Sequence, residues 1–103
     1  MNRRIYKRKT KVVNLRISRH DIYIGRGSKW GNPFVIGRDG NREEVIRKYR
    51  EWILGRTPSP NHSLPPSIDD IRTELMGQRL GCYCKPQACH GDVLVEIAEG
   101  RLG

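Results

Sequence analysis

The sequence predicts a small α/β protein, with about three helices packed on a sheet of three or more strands in the order β-β-α-α-β-α. Three observations predict this class. Two short segments near the N-terminus have strand-like patterns, two central segments carry apolar residues at helical spacing, and a late apolar run precedes a loop and a third helical pattern. With 103 residues, the chain has the size of one domain with a single core.

The first two strands are predicted near the N-terminus. Within residues 11–18, Val13, Leu15 and Ile17 alternate with polar residues, which is the pattern of a half-buried strand. Residues 18–21 can turn, and residues 22–24 form a second short apolar segment. We therefore expect these two strands to pair as a β-hairpin.

The three helices are predicted from caps and apolar faces. Asn41 and Glu44 have the spacing of a capping box at the start of a helix over residues 41–54, and its apolar face comprises Val45, Ile46, Tyr49, Trp52 and Ile53. After a proline-rich segment, Ser67 is the predicted N-cap of the second helix. The third helix is expected to have Cys89 and His90 at its start.

The net charge of +9 is concentrated near the N-terminus, since residues 1–19 hold eight basic residues and no acidic one. We interpret residues 1–10 as a basic N-terminal arm and residues 11–103 as a single α/β domain. Such an arm favours the phosphates of DNA or RNA, with an affinity that falls as salt rises. A solvated tail, a strand with a charged face and a contact with an anionic membrane surface are the alternatives.

The remaining composition narrows the protein class. No apolar run approaches the roughly 20 residues that cross a membrane, and none has the form of a signal peptide. The three cysteines are crowded into one segment, whereas a disulfide framework would spread them along the chain. We therefore expect a reducing compartment, the cytoplasm.

Residues 25–40, here called the glycine-rich loop, are the first candidate binding segment. Five glycines and a proline in this stretch exclude a regular helix. Donor side chains beside glycines can surround a phosphate or carboxylate, and the candidate ligand-binding residues here are Arg26, Ser28, Lys29 and Asn32. The alternative is a purely structural loop packed by Trp30 and Phe34.

The second candidate segment holds all three cysteines and a histidine. Its central part, residues 84–92, is here called the cysteine-histidine loop. Zinc prefers four cysteine or histidine ligands, and Cys82, Cys84, Cys89 and His90 supply that number. The adjacent positions of Cys89 and His90 count against this interpretation, because two neighbouring ligands need a sharp bend to reach one ion.

An anion site at the same loop is the second interpretation. Cys89 is expected at a helix start, where unpaired N–H groups lower the pKa of a thiol, and His90 and Lys85 add donors for an anionic ligand. Cys89, His90 and Asp92 are the candidate catalytic residues, although no motif indicates a reaction. A third interpretation makes Cys82 and Cys84 small buried strand residues, with His90 either capping the helix or satisfying a backbone carbonyl.

Three motifs carry a family resemblance: YIGRGSKWGNPF, then GNREEVIRKYREW, then LGCYCKPQACHGDVL. Together they resemble an uncharacterised domain-of-unknown-function family of small phage and bacterial proteins, over about residues 12–98. The resemblance implies a small cytosolic α/β domain, in the host cytoplasm where a phage encodes it. It implies no catalytic residue and no role for the basic arm.

These observations lead to one main hypothesis. The glycine-rich loop and the cysteine-histidine loop are expected to meet at the carboxyl edge of the sheet and to bind a phosphate-bearing ligand, a nucleotide or a nucleic acid. One alternative is a zinc-stabilised nucleic-acid-binding module without catalysis. A further alternative is a phage protein that binds a host protein.

Overall fold

The computed structural model describes residues 8–102. The element order confirms the predicted class: β1 (Lys11–Asn14), β2 (Ile22–Tyr23), α1 (Arg42–Ile53), α2 (Ile68–Leu75), β3 (Arg79–Cys82) and α3 (Gly91–Ala98). The predicted arm of residues 1–10 falls largely on residues 1–7, outside the described residues. The division into an arm and a domain stays a prediction.

The three strands form one parallel sheet in the order β1-β3-β2. Val12 and Ile22 both pair with Leu80, on either side of β3. The predicted hairpin between the first two strands is therefore wrong, because each of them pairs with β3. The fully buried Leu80 gives β3 the apolar character of a central strand, which parallel sheets cover on both faces.

Residues 15–21 lead from the end of β1 back to the start of β2, and this crossover passes over β3 at Gly81. A Cβ atom built on Gly81 would lie 2.6 Å from Cγ of His20. The missing side chain of Gly81 therefore makes room for the crossover. Side chains alternate along a strand, so Leu80 and Cys82 point to the opposite face, where the helices lie.

The predicted helix starts are confirmed by their hydrogen bonds. Asn41 and Glu44 form a complete capping box at α1, and the side chain of Ser67 accepts a hydrogen bond from the N–H of Asp70 at α2. Helix α3 begins at Gly91, directly after Cys89 and His90. The cysteine-histidine loop is thereby fixed between β3 and α3.

The core lies between the sheet and the helices, and α3 is at its centre, in contact with α1, α2 and β1. The largest fully buried side chains include Ile24, Tyr49, Leu75, Leu80 and Leu94. Full burial of a large apolar side chain contributes about 1.5–3 kcal/mol each. Of the helices in residues 8–102, none has the length and apolar character needed to cross a membrane.

The glycine-rich loop is ordered by contacts with α1. The hydroxyl of Tyr49 donates a 2.6 Å hydrogen bond to the carbonyl of Trp30, whose side chain is buried. The amide of Asn32 donates to the carbonyl of Val45 and its oxygen accepts from the N–H of Phe34. These contacts hold the loop beside the start of α1, which positions the site described next.

Candidate functional site

A central cavity of about 470 Å³ lies where the glycine-rich loop, the start of α1 and the cysteine-histidine loop meet. Its polar lining residues include Arg26, Asn32, Arg42 and His90. The cavity is next to the residues that follow β2 and β3, which is the carboxyl edge of the parallel sheet, where ligands of α/β proteins bind. The two loops that the sequence singled out thus share one cavity.

Two hydrogen bonds connect the cysteine-histidine loop to the segments on either side of the glycine-rich loop. Nε2 of His90 lies 2.7 Å from the carbonyl oxygen of Ile24, the residue before the glycine-rich loop. Because a carbonyl only accepts, the proton of the imidazole is on Nε2. The guanidinium of Arg42 donates a 3.0 Å hydrogen bond to the carbonyl of Ala88. Two side chains, those of His90 and Arg42, therefore connect the segments around the cavity.

His90 is buried beneath the cavity. Its ring packs edge-on against Tyr49, with centroids 5.0 Å apart. Burial lowers the pKa of His90, while the bond to Ile24 and the charge of Asp92 oppose that shift. The imidazole is consequently neutral near pH 7.

The three cysteines come together at the cavity floor. The Sγ atoms of Cys82 and Cys89 lie 3.3 Å apart, and the sulfurs of Cys82, Cys84 and Cys89 all lie within 4.8 Å of one another. All three are free thiols, and all three line the central cavity. This grouping offers soft donor atoms to a metal ion. His90, the fourth predicted ligand, is not part of the group.

The surroundings shift the pKa values of the two buried thiols, Cys82 and Cys89, in opposite directions. The hydrogen bond with the Cys89 side chain lowers the pKa of Cys82, and the backbone N–H groups of Cys84 and Lys85 act in the same direction. The same bond to Cys82, together with burial, raises the pKa of Cys89. The low pKa expected for Cys89 at the helix start is therefore wrong. The backbone N–H groups that follow β3 favour the thiolate form of Cys82.

The lining of the cavity includes two arginines and two exposed tyrosines. Arg26 and Arg42 line it, and no aspartate or glutamate of the described chain does. Tyr23 and Tyr83 lie at the cavity with 38% and 54% of their surfaces exposed, so their rings are accessible. The guanidinium of Arg16 lies 4.9 Å from the ring centroid of Tyr83 and adds a cation beside it.

Two other predicted ligand-binding residues lie outside the central cavity. Ser28 and Lys29 line a neighbouring cavity of about 630 Å³ between the glycine-rich loop and the proline-rich segment before α2. The hydroxyl of Ser28 donates to the carbonyl of Gly25, and Nζ of Lys29 pairs with Glu74 at 2.9 Å. Arg26 and Asn32 line both cavities.

Lys85 and Asp92 lie outside both of these cavities, next to β1 and α3. Nζ of Lys85 is 3.1 Å from the carboxylate of Asp92, whose other oxygen accepts from the N–H of Cys89. Asp92 thus ties the first turn of α3 to the backbone of Cys89. The central cavity therefore brings together Arg26, Asn32, His90 and the cysteines, whereas Ser28, Lys29, Lys85 and Asp92 do not line it.

Arg42, Tyr23 and Tyr83 are cavity residues that the sequence reasoning missed. A signal for Arg42 was present, since it directly follows the N-cap Asn41 and the first turn of a helix attracts anions. Tyr83 stands between Cys82 and Cys84, so a strand pattern puts its side chain on the opposite face. Tyr83 can lie at the cavity because β3 ends at Cys82, so the alternation of side chains along the strand does not continue to Tyr83.

The fold and the site define a small α/β protein with a parallel three-stranded sheet and a thiol-containing cavity at its carboxyl edge. The chain belongs to the family described as a domain of unknown function (DUF4326), whose model matches residues 5–100. It is 39% identical over 89 residues to an uncharacterized 12.4 kDa protein in the nrdA-td intergenic region of Enterobacteria phage T4, covering 84% of this chain and 75% of that protein. No solved structure matches the chain.

Proposed function

We propose that the central cavity binds a phosphate-bearing ligand, and that a nucleotide is the class it fits best. The observation that carries this proposal is the pairing of Arg26 and Arg42 in a cavity with no carboxylate among its lining residues in the described chain. Two guanidinium groups favour an anion with several oxygen atoms, because each can donate two parallel hydrogen bonds.

The other walls of the cavity suit a ring. Its volume of about 470 Å³ is in the range of small-molecule sites. Phe34, Ile46 and Val45 provide an apolar wall, and Tyr23 and Tyr83 provide accessible aromatic surface. A base between these side chains would place its phosphates toward Arg26 and Arg42. Stacking on aromatic side chains contributes about 1–3 kcal/mol per base.

Isothermal titration calorimetry with nucleoside mono-, di- and triphosphates tests the proposal. Arg26→Ala is expected to weaken binding at least about tenfold, since a hydrogen bond to a charged group contributes about 1.5–3 kcal/mol. Arg47→Ala, an exposed arginine on α1 that does not line the cavity, is the matched control and should bind as the native chain does. Native protein without measurable nucleotide affinity, or equal affinity for Arg26→Ala, would overturn the proposal.

A zinc-stabilised nucleic-acid-binding module is the second candidate function. The grouping of three cysteine sulfurs within 4.8 Å favours it, because thiolates are the usual ligands of structural zinc. The concentration of positive charge in residues 1–19 would supply contacts with phosphates of DNA or RNA. Metal analysis of protein purified without a histidine tag distinguishes this candidate: about one zinc per chain supports it, and a content near zero removes it.

A further inference from the structure

We propose that a metal ion on Cys82, Cys84 and Cys89 has three protein ligands only, and that its fourth coordination position opens into the central cavity. This inference rests on the thiol metal site suggested above. It changes the role of the ion: a closed four-ligand site is purely structural, whereas an open position can take a donor atom from a bound anion. The ligand class is an anionic molecule seated between Arg26 and Arg42.

The spacing of the sulfurs fits one ion. Zinc–sulfur bonds are about 2.3 Å long, so the sulfurs of a tetrahedral site lie about 3.8 Å apart. The distance of 3.3 Å between Cys82 and Cys89 is slightly shorter, and the whole group lies within 4.8 Å. The sulfur of the half-buried Cys84 lies within that same distance of both other sulfurs.

His90 does not supply the fourth ligand. Its Nε2 is bonded to the carbonyl of Ile24 at 2.7 Å, and its ring is held edge-on against Tyr49. Ligation through Nε2 would leave the buried Ile24 carbonyl without its partner. Asp92 is also engaged, with Lys85 and the N–H of Cys89. Within residues 8–102, no fourth histidine, cysteine or carboxylate joins the group of three sulfurs.

The remaining position faces the cavity. Cys82, Cys84 and Cys89 all line it, so a molecule in the cavity can reach an ion bound among them. Three thiolates and a divalent ion carry a net charge of −1. Arg26 and Arg42 compensate this charge in the same cavity, and the N–H of Gly91 donates to Sγ of Cys89 at 3.3 Å. The arginines can thus admit an anion next to a site that is itself negative.

Cobalt substitution tests the inference on the full chain. Co²⁺ is added to metal-free protein under reducing conditions, and the sulfur-to-cobalt charge-transfer bands and the visible d–d bands are recorded. One Co²⁺ per chain with tetrahedral d–d bands is expected. Azide and inorganic phosphate are then titrated separately as probes of the open position. A saturable shift of the d–d bands by either anion is the expected result.

Three variants assign the ligands. Cys84→Ser, at the least buried cysteine, should weaken Co²⁺ binding at least about tenfold, because it removes one of three ligand atoms. His90→Gln should keep the stoichiometry and the charge-transfer bands. Gln87→Ala, an exposed residue of the same loop, is the matched control. Circular dichroism of the metal-free variants shows whether each one folds.

Two results overturn the inference. The first is native protein that takes up no Co²⁺. The second is a bound Co²⁺ whose spectrum is unchanged by both anions and is altered by His90→Gln, which identifies a closed site with His90 as the fourth ligand. Nucleotide binding is measured in parallel on metal-free protein. A protein that binds nucleotide but no Co²⁺ contradicts only the metal site. A protein that binds Co²⁺ but no nucleotide contradicts only the proposed nucleotide binding.

Discussion

Nε2 of His90 donates a hydrogen bond to the carbonyl oxygen of Ile24 over 2.7 Å, although the two residues are 66 positions apart in the chain. His90 is at the start of α3 and Ile24 is the last residue before the glycine-rich loop. The bond therefore fixes the distance between the two loops that form the central cavity. The neutral imidazole acts here as a structural donor beneath the cavity.

His90→Ala should destabilise the protein and disturb the cavity together. The substitution leaves the buried Ile24 carbonyl unpaired and removes the ring that packs on Tyr49, so we expect a loss of about 2–4 kcal/mol in the free energy of unfolding. His90→Gln, which keeps a donor, should lose less. Urea unfolding measures both.

His62→Asn is the control, at an exposed position with φ of 59° that asparagine tolerates. A stability of His90→Ala within about 0.5 kcal/mol of the native value would contradict the structural role.

Gly81→Ala tests the crossover of residues 15–21 over β3. The new methyl group would lie 2.6 Å from Cγ and 2.9 Å from Cβ of His20, so we expect a destabilisation of about 1–3 kcal/mol through overpacking. In the His20→Gly chain, Gly81→Ala should lower the free energy of unfolding by less than it does in the native chain, because the clashing side chain is absent. Thermal unfolding of the four chains gives the coupling free energy. Strictly additive effects would show that His20 does not cover Gly81.

Local signals were sufficient to predict the helices. The Asn41 and Glu44 capping box and the Ser67 cap act within a few residues, so the sequence shows them directly. The position of β3 between β1 and β2 depends instead on pairing between segments far apart in the chain, Val12 and Ile22 with Leu80. A contact of this kind has no periodicity in the sequence. A hairpin was therefore expected where a crossover exists.

The sequence predicts which loops form the site, but it does not predict which side chains of those loops line the cavity. Arg26 and Ser28 are two residues apart, yet Arg26 lines the central cavity and Ser28 does not. The difference arises because the Ser28 hydroxyl turns back to Gly25. Likewise, Lys85 is drawn to Asp92 on the other side of α3. Such choices among nearby donors depend on tertiary partners that a single sequence does not display.

Glu99→Gln should reduce stability at neutral pH but not in acid. The N–H of Thr10 donates a 2.9 Å hydrogen bond to the Glu99 carboxylate, and hydrogen bonds from Thr10 lower the pKa of Glu99. A carboxyl group with a lowered folded-state pKa binds fewer protons in the folded than in the unfolded chain. Its contribution is complete above the ordinary pKa of 4.5 and disappears as the pH falls through the lowered value.

The expected difference between the native chain and Glu99→Gln is less than about 1 kcal/mol, because Glu99 is exposed. Urea unfolding at pH 7 and at pH 3 measures it, and the two chains should converge at the lower pH. Glu43→Gln is the control, since Glu43 is an exposed carboxylate on α1. A difference that grows as the pH falls would contradict the assignment.

Deletion of residues 1–7 should weaken binding to single-stranded nucleic acid and leave nucleotide binding intact. The deletion removes Arg3, Arg4 and Lys7 and keeps Thr10, whose hydroxyl accepts a hydrogen bond from the N–H of Gly77. Each phosphate contact contributes about 0.7–0.9 to the slope of log affinity against log salt, so three lost contacts should reduce that slope by about 2 to 3. Fluorescence anisotropy with an oligonucleotide across a salt series measures the slope.

The full-length chain with Arg3→Ser, Arg4→Ser and Lys7→Ser should behave like the deletion, because the effect is one of charge. An unchanged slope in both chains would show that the arm makes no phosphate contact, and an equal loss of nucleotide binding would place its role at the cavity instead.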